Sequence, residues 1–264
     1  MRPVIYYRGI EFEQEELKWA SQSLHCTNRL PAIQEGDLVI GRYSMIPFYR
    51  DQEKDIEYLG AKLINSYEQH RYIADLGNYV MDLDGMTPTT WSDITAIPDD
   101  GRAFVVKGET NSRKSRWLHD MYAKDKATAI DIWNRLSDDG ILSQQKLYIR
   151  EYVPLVKLMD GVNGMPVTKE FRFFVCYGKV LCGGYYWANY AGDLPRMPDI
   201  SEVPKSFLKE VIRRVGDQSN YYVIDVGLKE SGEPIVIELN DGQQSGLSEI
   251  HPKELYTSLA NALH

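Results

Sequence analysis

Residues 221–246 carry the feature that most constrains the fold, two apolar runs separated by a short turn that contains a glycine and a proline. The segment reads YYVIDVGLKESGEPIVIELNDGQQSG, a pattern that predicts a β-hairpin. Asp225 lies in the first run, and Glu238 and Asn240 lie in the second. Because residues two apart in a strand point to the same face, Glu238 and Asn240 should project together, and a paired Asp225 can reach the same point.

The oxygen ligands of this hairpin are those of a site for a hard cation. Two carboxylates and a carboxamide suit Mg²⁺, which keeps several waters and takes its remaining ligands from substrate phosphates. The same pattern also fits the solvent-facing positions of an ordinary half-buried hairpin, because polar and apolar residues alternate there too. The hairpin by itself leaves both interpretations open.

Three upstream segments also combine apolar strands with cations. Residues 103–109 (AFVVKGE) form a predicted strand with Lys107 near its end, a compact charge suited to a phosphate oxygen. Residues 146–155 (KLYIREYVPL) form a second strand. Residues 169–187 predict two strands around a tight turn, with Arg172 on the same face as an acidic neighbour. Taken singly, such cations are more typical of solvated strand positions, or of stems that cover apolar surface.

The order of these segments resembles the ATP-grasp superfamily. The resemblance implies that Asp225, Glu238 and Asn240 hold Mg²⁺ against the phosphates of ATP. It also implies that Lys107 binds phosphate and that Arg172 stabilises the phosphoryl group as it is transferred.

Further nucleotide-binding positions follow from the same resemblance. Residues 146–155 would run into the hinge between the two lobes, where the backbone of Glu151, Tyr152 and Val153 would hydrogen-bond the adenine edge. The phosphates would also be gripped by Arg150.

The resemblance is closest to a divergent ATP-grasp clade that includes the eukaryotic cell-division-cycle protein needed to assemble a translation initiation factor. It is carried by Arg150 inside the hinge strand and by the string EFRFFV that begins at Glu170. Members of this clade share a fold and the binding of ATP, whereas the reaction of most members is inferred rather than established. The resemblance therefore implies the cofactors, ATP and Mg²⁺, better than the substrates.

Residues 108–121 (GETNSRKSRWLHDM) depart from the ATP-grasp pattern, because they have one glycine where many of these enzymes have a glycine-rich loop over the triphosphate. The segment is rich in cations and hydroxyls, and we expect Ser112 and Lys114 to take over the contacts to phosphate. The alternatives are a solvated loop and a surface that meets an acidic partner.

The resulting fold class is α/β with α+β lobes, an ATP-grasp fold of two lobes clasping ATP behind a small α/β domain. We expect residues 1–100 to form the N-terminal pre-ATP-grasp domain and residues 101–264 the ATP-grasp domain. Its smaller lobe would span about 101–152 and its larger lobe about 153–264. Residues 82–102 lack a sustained period and predict a linker. Helices are predicted over 67–83, 127–138, 204–215 and 252–263.

The N-terminal domain should supply part of the substrate cleft. The residues that could line it are Arg42, Asn65, Ser66, His70 and Arg71. The alternative is structural: Ser66 is needed as a cap in a capping box with Gln69, His70 and Arg71 are solvated, and Arg42 balances nearby acids.

Composition narrows the compartment and the partners. The net charge of −8 argues against general nucleic-acid binding, which depends on clustered Lys and Arg. The three cysteines lack metal-ligand spacing, and no 18 apolar residues run together. The start of the sequence lacks the apolar stretch of a signal peptide. We therefore expect a cytoplasmic protein with no membrane partner.

The predicted function is an ATP-grasp ligase that activates a carboxylate as an acyl phosphate, which an amine or other nucleophile then attacks. The carboxylate and the nucleophile are unknown, and a peptide or protein could supply either. One alternative is an ATP-binding assembly factor without ligase turnover. Another is a phosphotransferase or RNA ligase built on the same lobes.

Overall fold

The computed structural model describes residues 1–8, 11–45, 47–110, 113–140, 145–192 and 194–264. The chain begins with a parallel sheet in the order β2-β1-β3-β4. Its strands are β1 (Pro3–Tyr7), β2 (His25–Thr27), β3 (Leu38–Arg42) and β4 (Lys62–Leu63). The connecting helices are α1 (Glu11–Ala20) and α2 (Tyr49–Tyr58). Helical crossovers of this kind are what parallel neighbours require.

The helix predicted over residues 67–83 is divided into α3 (Tyr67–Ala74) and α4 (Leu76–Tyr79). Asp75 between them has an extended backbone, with φ −93° and ψ 111°, and its carboxylate accepts a hydrogen bond from the Gly77 N–H at 3.0 Å. Tyr148 Oη donates to the same oxygen at 3.1 Å. The prediction of one continuous helix was wrong because a side-chain cap with a buried partner competes with the helical hydrogen bond.

The start of α3 is as predicted, since Ser66 and Gln69 form both bonds of a capping box. The alternative in which His70 is solvated was wrong, and Asp75 of the same predicted helix is buried as well. Their exposed fractions are 4% and 0%, because each side chain has a polar partner in the interior.

A second sheet is antiparallel, in the order β5-β8-β6-β7, and is covered by α5 (Lys126–Ser137). Its strands are β5 (Thr90–Trp91), β6 (Phe104–Gly108), β7 (Tyr122–Ala123) and β8 (Leu147–Glu151). Residues 82–102 are therefore more than a linker, because β5 pairs with the edge of β8. A two-stranded hairpin of β9 (Lys157–Asp160) and β10 (Pro166–Thr168) follows.

The third sheet is antiparallel, in the order β12-β11-β13-β14. Its strands are β11 (Glu170–Cys176), β12 (Lys179–Tyr185), β13 (Tyr221–Leu228) and β14 (Pro234–Asp241). Both predicted hairpins are confirmed. Tyr177 and Gly178 turn the first with φ of 45° and 72°, a combination typical of the tightest hairpin turns. Helix α6 (Lys205–Val215) lies between β12 and β13 in the chain, and α7 (Pro252–Leu263) follows β14.

The two faces of this third sheet differ. One face packs Phe171, Phe173, Ile224 and Leu239 into the largest core cluster. The other face is apolar where Phe174, Cys176, Tyr221 and Val223 pack with α7 and the first sheet. At its opposite end this face carries charged side chains, and the candidate site lies there.

No helix in the described part of the chain is long and apolar enough to cross a membrane. The division of the chain at residue 100 stays a prediction.

Candidate functional site

Three charged residues form a row across the third sheet. Arg172 is the register partner of Asp225 between β11 and β13, and Asp225 is the partner of Glu238 between β13 and β14. Directly opposite residues of antiparallel strands project to the same face, so the three side chains are neighbours. The register of β13 and β14 shifts next to this pair, which leaves Ile237 as an extra residue. Such bulges re-aim side chains and are frequent beside functional sites.

Arg172 and Asp225 form a bidentate ion pair that is closed off from solvent. Arg172 Nε and Nη2 donate to the two Asp225 oxygens at 2.8 and 2.7 Å, and Asp225 is 2% exposed. A third donor, Nη1, bonds the Gly246 carbonyl at 2.9 Å. Burial alone would lower the Arg172 pKa, but the Asp225 carboxylate outweighs it and raises that pKa. Arg172 is thus fixed as a cation at the β11 end of the row, and Asp225 lies at its centre.

Lys107 reaches the end of the row from the second sheet, where its Nζ donates to Glu238 Oε1. Burial alone would raise the Glu238 pKa, but the charges of Lys107, Lys114 and Arg150 lower it to about 2. The pKa of Lys107 is also lowered, by its burial and by the other two cations. Burial is the main cause of the Lys107 shift and the neighbouring cations are the cause of the Glu238 shift, so the two shifts together mark a buried cluster with three cations around Glu238. Such a position favours an additional anion.

Arg150 lies beside this cluster and is 5% exposed. Its guanidinium donates to the Ile237 carbonyl at the bulge, to Thr87 Oγ1 at 2.7 Å and to Thr90 Oγ1 at 3.3 Å. These bonds tie the second sheet to β14 and hold the bulge in place. Burial lowers the Arg150 pKa. The predicted contact of Arg150 with phosphate stays a prediction.

Lys114 is the cation of residues 108–121 that lies in the site. Its Nζ donates to Tyr186 Oη at 2.7 Å and stands 4.5 Å from the centre of that ring. By contrast, Arg113 pairs with Asp139 and Arg116 with Asp120. Ser112, predicted to bind phosphate, lies outside the described residues.

A cavity of about 140 Å³ lies between the second and third sheets. Its wall is formed by Pro88, Val105, Lys107, Lys114, Trp117, Met121, Arg150, Glu151, Tyr152, Val153, Leu155, Met165, Pro166, Thr168, Glu170, Trp187, Ile237 and Glu238. The amides of Glu151 and Tyr152 donate to the Thr89 and Ala103 carbonyls, both at 2.9 Å. The amide of Val153 has no partner within the described residues. The predicted hinge thus offers one free donor beside apolar walls, which suits the edge of a flat heterocycle.

Glu170 is a buried carboxylate in the wall of this first cavity. Its carboxylate accepts hydrogen bonds from Trp187 Nε1 at 2.8 Å and from Thr168 Oγ1. Burial raises the Glu170 pKa, although the nearby Lys114 opposes the shift. Sequence reasoning placed Glu170 on the face of Arg172, which the strand alternation of β11 confirms, but it assigned Glu170 no role.

A second cavity, of about 370 Å³, is mostly polar. It is lined by Ser44, His70, Ala74, Thr110, Lys114, Arg172, Tyr186, Glu238, Asn240, Asp241, Gln244, Ser245 and Gly246. Lys114 and Glu238 line both cavities, so the two spaces meet at these side chains. The carboxamide of Asn240 has no protein partner in the described part of the chain.

The donor set fits Mg²⁺ in kind. Among the described residues, no three His, Cys, Asp or Glu side chains converge to hold a metal. The predicted set of Asp225, Glu238 and Asn240 instead offers two carboxylates and one carboxamide on one face of a hairpin. Oxygen ligands of this kind suit Mg²⁺ when phosphates and water complete the shell. Arg172 and Lys107 hold the two carboxylates, so metal binding would have to loosen these ion pairs.

Of the residues predicted to line a substrate cleft, His70 lies in the second cavity. Arg42 instead forms an ion pair with Glu16 and donates hydrogen bonds to three backbone carbonyls of residues 242–245. Asn65 bonds the backbone of Tyr221. Ser66 is a helix cap, and Arg71 pairs with Asp75. Asp241 was missed because strand alternation places it on the face opposite Asn240, and the strand ends there.

Comparison with known proteins gives this geometry its context. The family model of the ATP-grasp domain, R2K clade family 3, matches residues 98–259. A search of curated protein sequences found no significant match.

Several solved structures share the fold across nearly the whole chain. A RimK domain ATP-grasp protein from Sphaerobacter thermophilus is 12% identical, with a TM-score of 0.63 and 99% of each chain covered. D-cycloserine synthetase DcsG is 14% identical, with a TM-score of 0.64 and the same coverage. The ATP-grasp ligase PsnB, complexed with a minimal precursor, Mg and ADP, is 13% identical, with a TM-score of 0.58 and coverage of 99% of this chain and 96% of its own. By fold and by family model, this chain belongs to the ATP-grasp superfamily, in R2K clade family 3.

Proposed function

We propose that this protein is an ATP- and Mg²⁺-dependent ligase. It would transfer the γ-phosphoryl group of ATP to a carboxylate, and an amine or other nucleophile would then attack the acyl phosphate. We further propose that a peptide or protein supplies one of the two substrates and that the reaction takes place in the cytoplasm, in keeping with free thiols at Cys26, Cys176 and Cys182.

The observation that carries this proposal is the meeting of two unlike cavities at Lys114 and Glu238. The first is walled by apolar side chains and has a free backbone donor at Val153, features that suit an adenine ring. The second is mostly polar and is lined by Arg172 and Glu238 of the charged row. A nucleotide in the first cavity would therefore direct its phosphates toward a substrate in the second.

The charged row has the parts that phosphoryl transfer requires. Asp225, Glu238 and Asn240 would hold Mg²⁺, which supplies charge neutralisation on the phosphate oxygens. Lys107 would move from Glu238 to a phosphate, and Arg172 would stabilise charge on the group in transfer. Phosphoryl transfer needs mainly positioning and electrostatic stabilisation, so a site without an evident nucleophilic side chain is consistent with it.

The fold neighbours support the choice of ligands and the reaction class. PsnB was solved with ADP, Mg and a precursor, and DcsG is a synthetase. At identities of 13% and 14% these likenesses show a shared fold, and the ligands and the reaction class are proposed for this chain on that basis. The carboxylate and the nucleophile of this chain must be identified by experiment.

Acceptor-dependent turnover is the decisive test. A ligase should release ADP faster when a carboxylate and a nucleophile are supplied together than when either is omitted. An assembly factor, as in the cell-division-cycle member of the clade that the sequence resembles, should bind the ATP analogue AMPPNP with Mg²⁺ but show no such acceleration. ADP release that depends on an RNA end or a small hydroxyl compound would indicate a phosphotransferase or RNA ligase.

Glu238→Gln should weaken Mg²⁺-dependent AMPPNP binding by about 10- to 100-fold, because a charged metal ligand becomes a neutral one. Isothermal titration calorimetry with and without Mg²⁺ measures the effect. Glu233→Gln, an exposed substitution in the turn of the same hairpin, is the matched control. Equal affinities of Glu238→Gln and the wild type in Mg²⁺ would remove Glu238 from the metal site.

The Glu238 carboxyl also predicts a pH dependence of stability. Its pKa is lowered to about 2 from an ordinary value of 4.5, so its stabilising effect is complete above pH 4.5 and is lost as the pH falls toward 2. The wild type should therefore exceed Glu238→Gln in free energy of unfolding at pH 6, and the difference should shrink over that acidic interval. Urea unfolding at several pH values measures this difference in the free energy of unfolding. A difference that stays constant from pH 6 down to the acidic range would contradict the lowered pKa of Glu238.

A further inference from the structure

The second cavity contains a histidine and a carboxylate that have no role in the phosphoryl transfer described above. His70 Nδ1 lies 3.0 Å from Asp241 Oδ2, and the two residues are 4% and 3% exposed. The other partners of the Asp241 side chain are donors, namely the Gln243 amide groups and Asn65 Nδ2. The carboxylate therefore accepts, and Nδ1 of His70 must carry the proton.

This arrangement leaves the other ring nitrogen of His70 as the basic one. In a neutral imidazole, only one nitrogen bears a proton, so Nε2 presents a lone pair. Nε2 has no partner within the described residues, although the ring is buried and lines the second cavity. An atom of a cavity-lining ring that has no protein partner can take its hydrogen bond from a ligand bound in that cavity.

The orientation of the ring is fixed on two sides. Tyr49 stacks on it with ring centres 4.0 Å apart and an angle of 9°. The Tyr49 hydroxyl is itself held, because it donates to the Asn65 carbonyl at 2.8 Å and accepts from Gln243 Nε2 at 2.7 Å. Rotation of the imidazole would break the stack and the Asp241 bond together. Nε2 therefore keeps one direction, as a base that acts on a bound substrate should.

The position in the chain places this base next to the proposed reaction centre. Asp241 directly follows Asn240, and Glu238 lies three residues before it on the same strand. The charged groups around the cavity that face His70 are Asp241, Glu238, Lys114 and Arg172. Of these, Lys114 and Glu238 also line the first cavity, and Arg172 and Glu238 belong to the charged row.

We propose that His70 is the general base that deprotonates an amine substrate bound in the second cavity, and that Asp241 is its positioning residue. This proposal rests on the ligase function. The amine nitrogen forms a bond to the acyl carbon, and the bond from that carbon to the phosphate oxygen breaks with its electron pair going to phosphate. The substrate ammonium loses one proton to His70 Nε2 before the nitrogen attacks, and a second proton leaves the nitrogen as the amide forms and passes to the departing phosphate. The ligand class assigned to this cavity is thus a primary amine, such as the amino group of an amino acid or peptide.

A turnover assay with ATP and Mg²⁺ tests the proposal. The twenty amino acids are the probes, because each carries both a carboxylate and an amine, and mass spectrometry measures the product. His70→Asn should lower amide formation by about 100-fold or more, the usual contribution of a general base. Hydroxylamine, whose nitrogen is unprotonated at neutral pH, should rescue product formation as the hydroxamate. Asp241→Asn should lower the rate and change its pH profile. Unchanged AMPPNP affinity in each variant would show that the fold is intact, and His70→Gln is a second variant should His70→Asn fail to fold.

A chemical probe tests the base without requiring turnover. Diethyl pyrocarbonate acylates accessible, unprotonated imidazole nitrogens, and peptide mass spectrometry locates the modified residues. His70 should be modified at neutral pH, with the exposed His119 as the internal control. A His70 that stays unmodified while His119 reacts would overturn the proposal, because Nε2 would then be closed to ligands.

The outcomes separate this proposal from the ligase function. Normal amide formation by His70→Asn, or a loss that hydroxylamine does not rescue, would overturn the base while the ligase stands. A wild-type protein that binds AMPPNP but forms no ADP with any amine would overturn the ligase and the base together.

Discussion

Asp225→Asn should lower the free energy of unfolding by about 3 kcal/mol, the usual cost of leaving a buried charge without its partner. Arg172 lies against the Asp225 carboxylate in two hydrogen bonds, at a position where Asp225 is 2% exposed. A neutral amide keeps at most part of this contact and none of its charge. Urea unfolding at neutral pH measures the difference.

The matched control is Asp160→Asn, because Asp160 forms an ion pair with Lys157 but is 77% exposed. Exposed pairs contribute little to stability, so this variant should unfold like the wild type. The double variant Arg172→Met/Asp225→Asn should be more stable than Asp225→Asn, since no buried cation then lacks a partner. If Asp225→Asn unfolds like Asp160→Asn, the Arg172 pair does not stabilise the third sheet.

Lys107→Met should change the binding of nucleotide and of free Mg²⁺ in opposite directions. Loss of a charged contact to phosphate should weaken AMPPNP binding by about 10- to 100-fold. The same change should strengthen binding of Mg²⁺ without nucleotide, because Lys107 holds the Glu238 carboxylate in the free protein. The opposite signs follow from one exchange, in which the ammonium moves from the carboxylate to phosphate. Titration calorimetry of Mg²⁺ alone, and of AMPPNP in Mg²⁺, measures both.

The fold should survive this substitution, because Arg150 and Lys114 still neutralise Glu238. Lys157→Met is the matched control, since Lys157 is half exposed and pairs with Asp160. Nucleotide affinity equal to that of this control would remove Lys107 from the phosphate site. A lower nucleotide affinity with no gain in Mg²⁺ affinity would keep Lys107 as a phosphate ligand but contradict the exchange.

Several features could be predicted from the sequence because they depend on local periodicity. Alternation along β14 puts Glu238 and Asn240 on one face, whatever the rest of the chain does. The same reasoning predicted the two hairpins of the third sheet and the capping box at Ser66. The order of these strands then pointed to the superfamily that the family model confirms.

The site itself depends on contacts between distant parts of the chain. Lys107 and Glu238 are 131 positions apart, and His70 and Asp241 are 171 apart. No periodic pattern encodes such meetings, because they depend on how sheets and helices pack against one another. The break of the predicted helix at Asp75 has the same origin, since the Asp75 carboxylate accepts a hydrogen bond from Tyr148 on β8 of the second sheet. The sequence alone thus determined the strands and the faces on which their charges lie. Tertiary packing decided which charges become partners and that His70 lines a cavity.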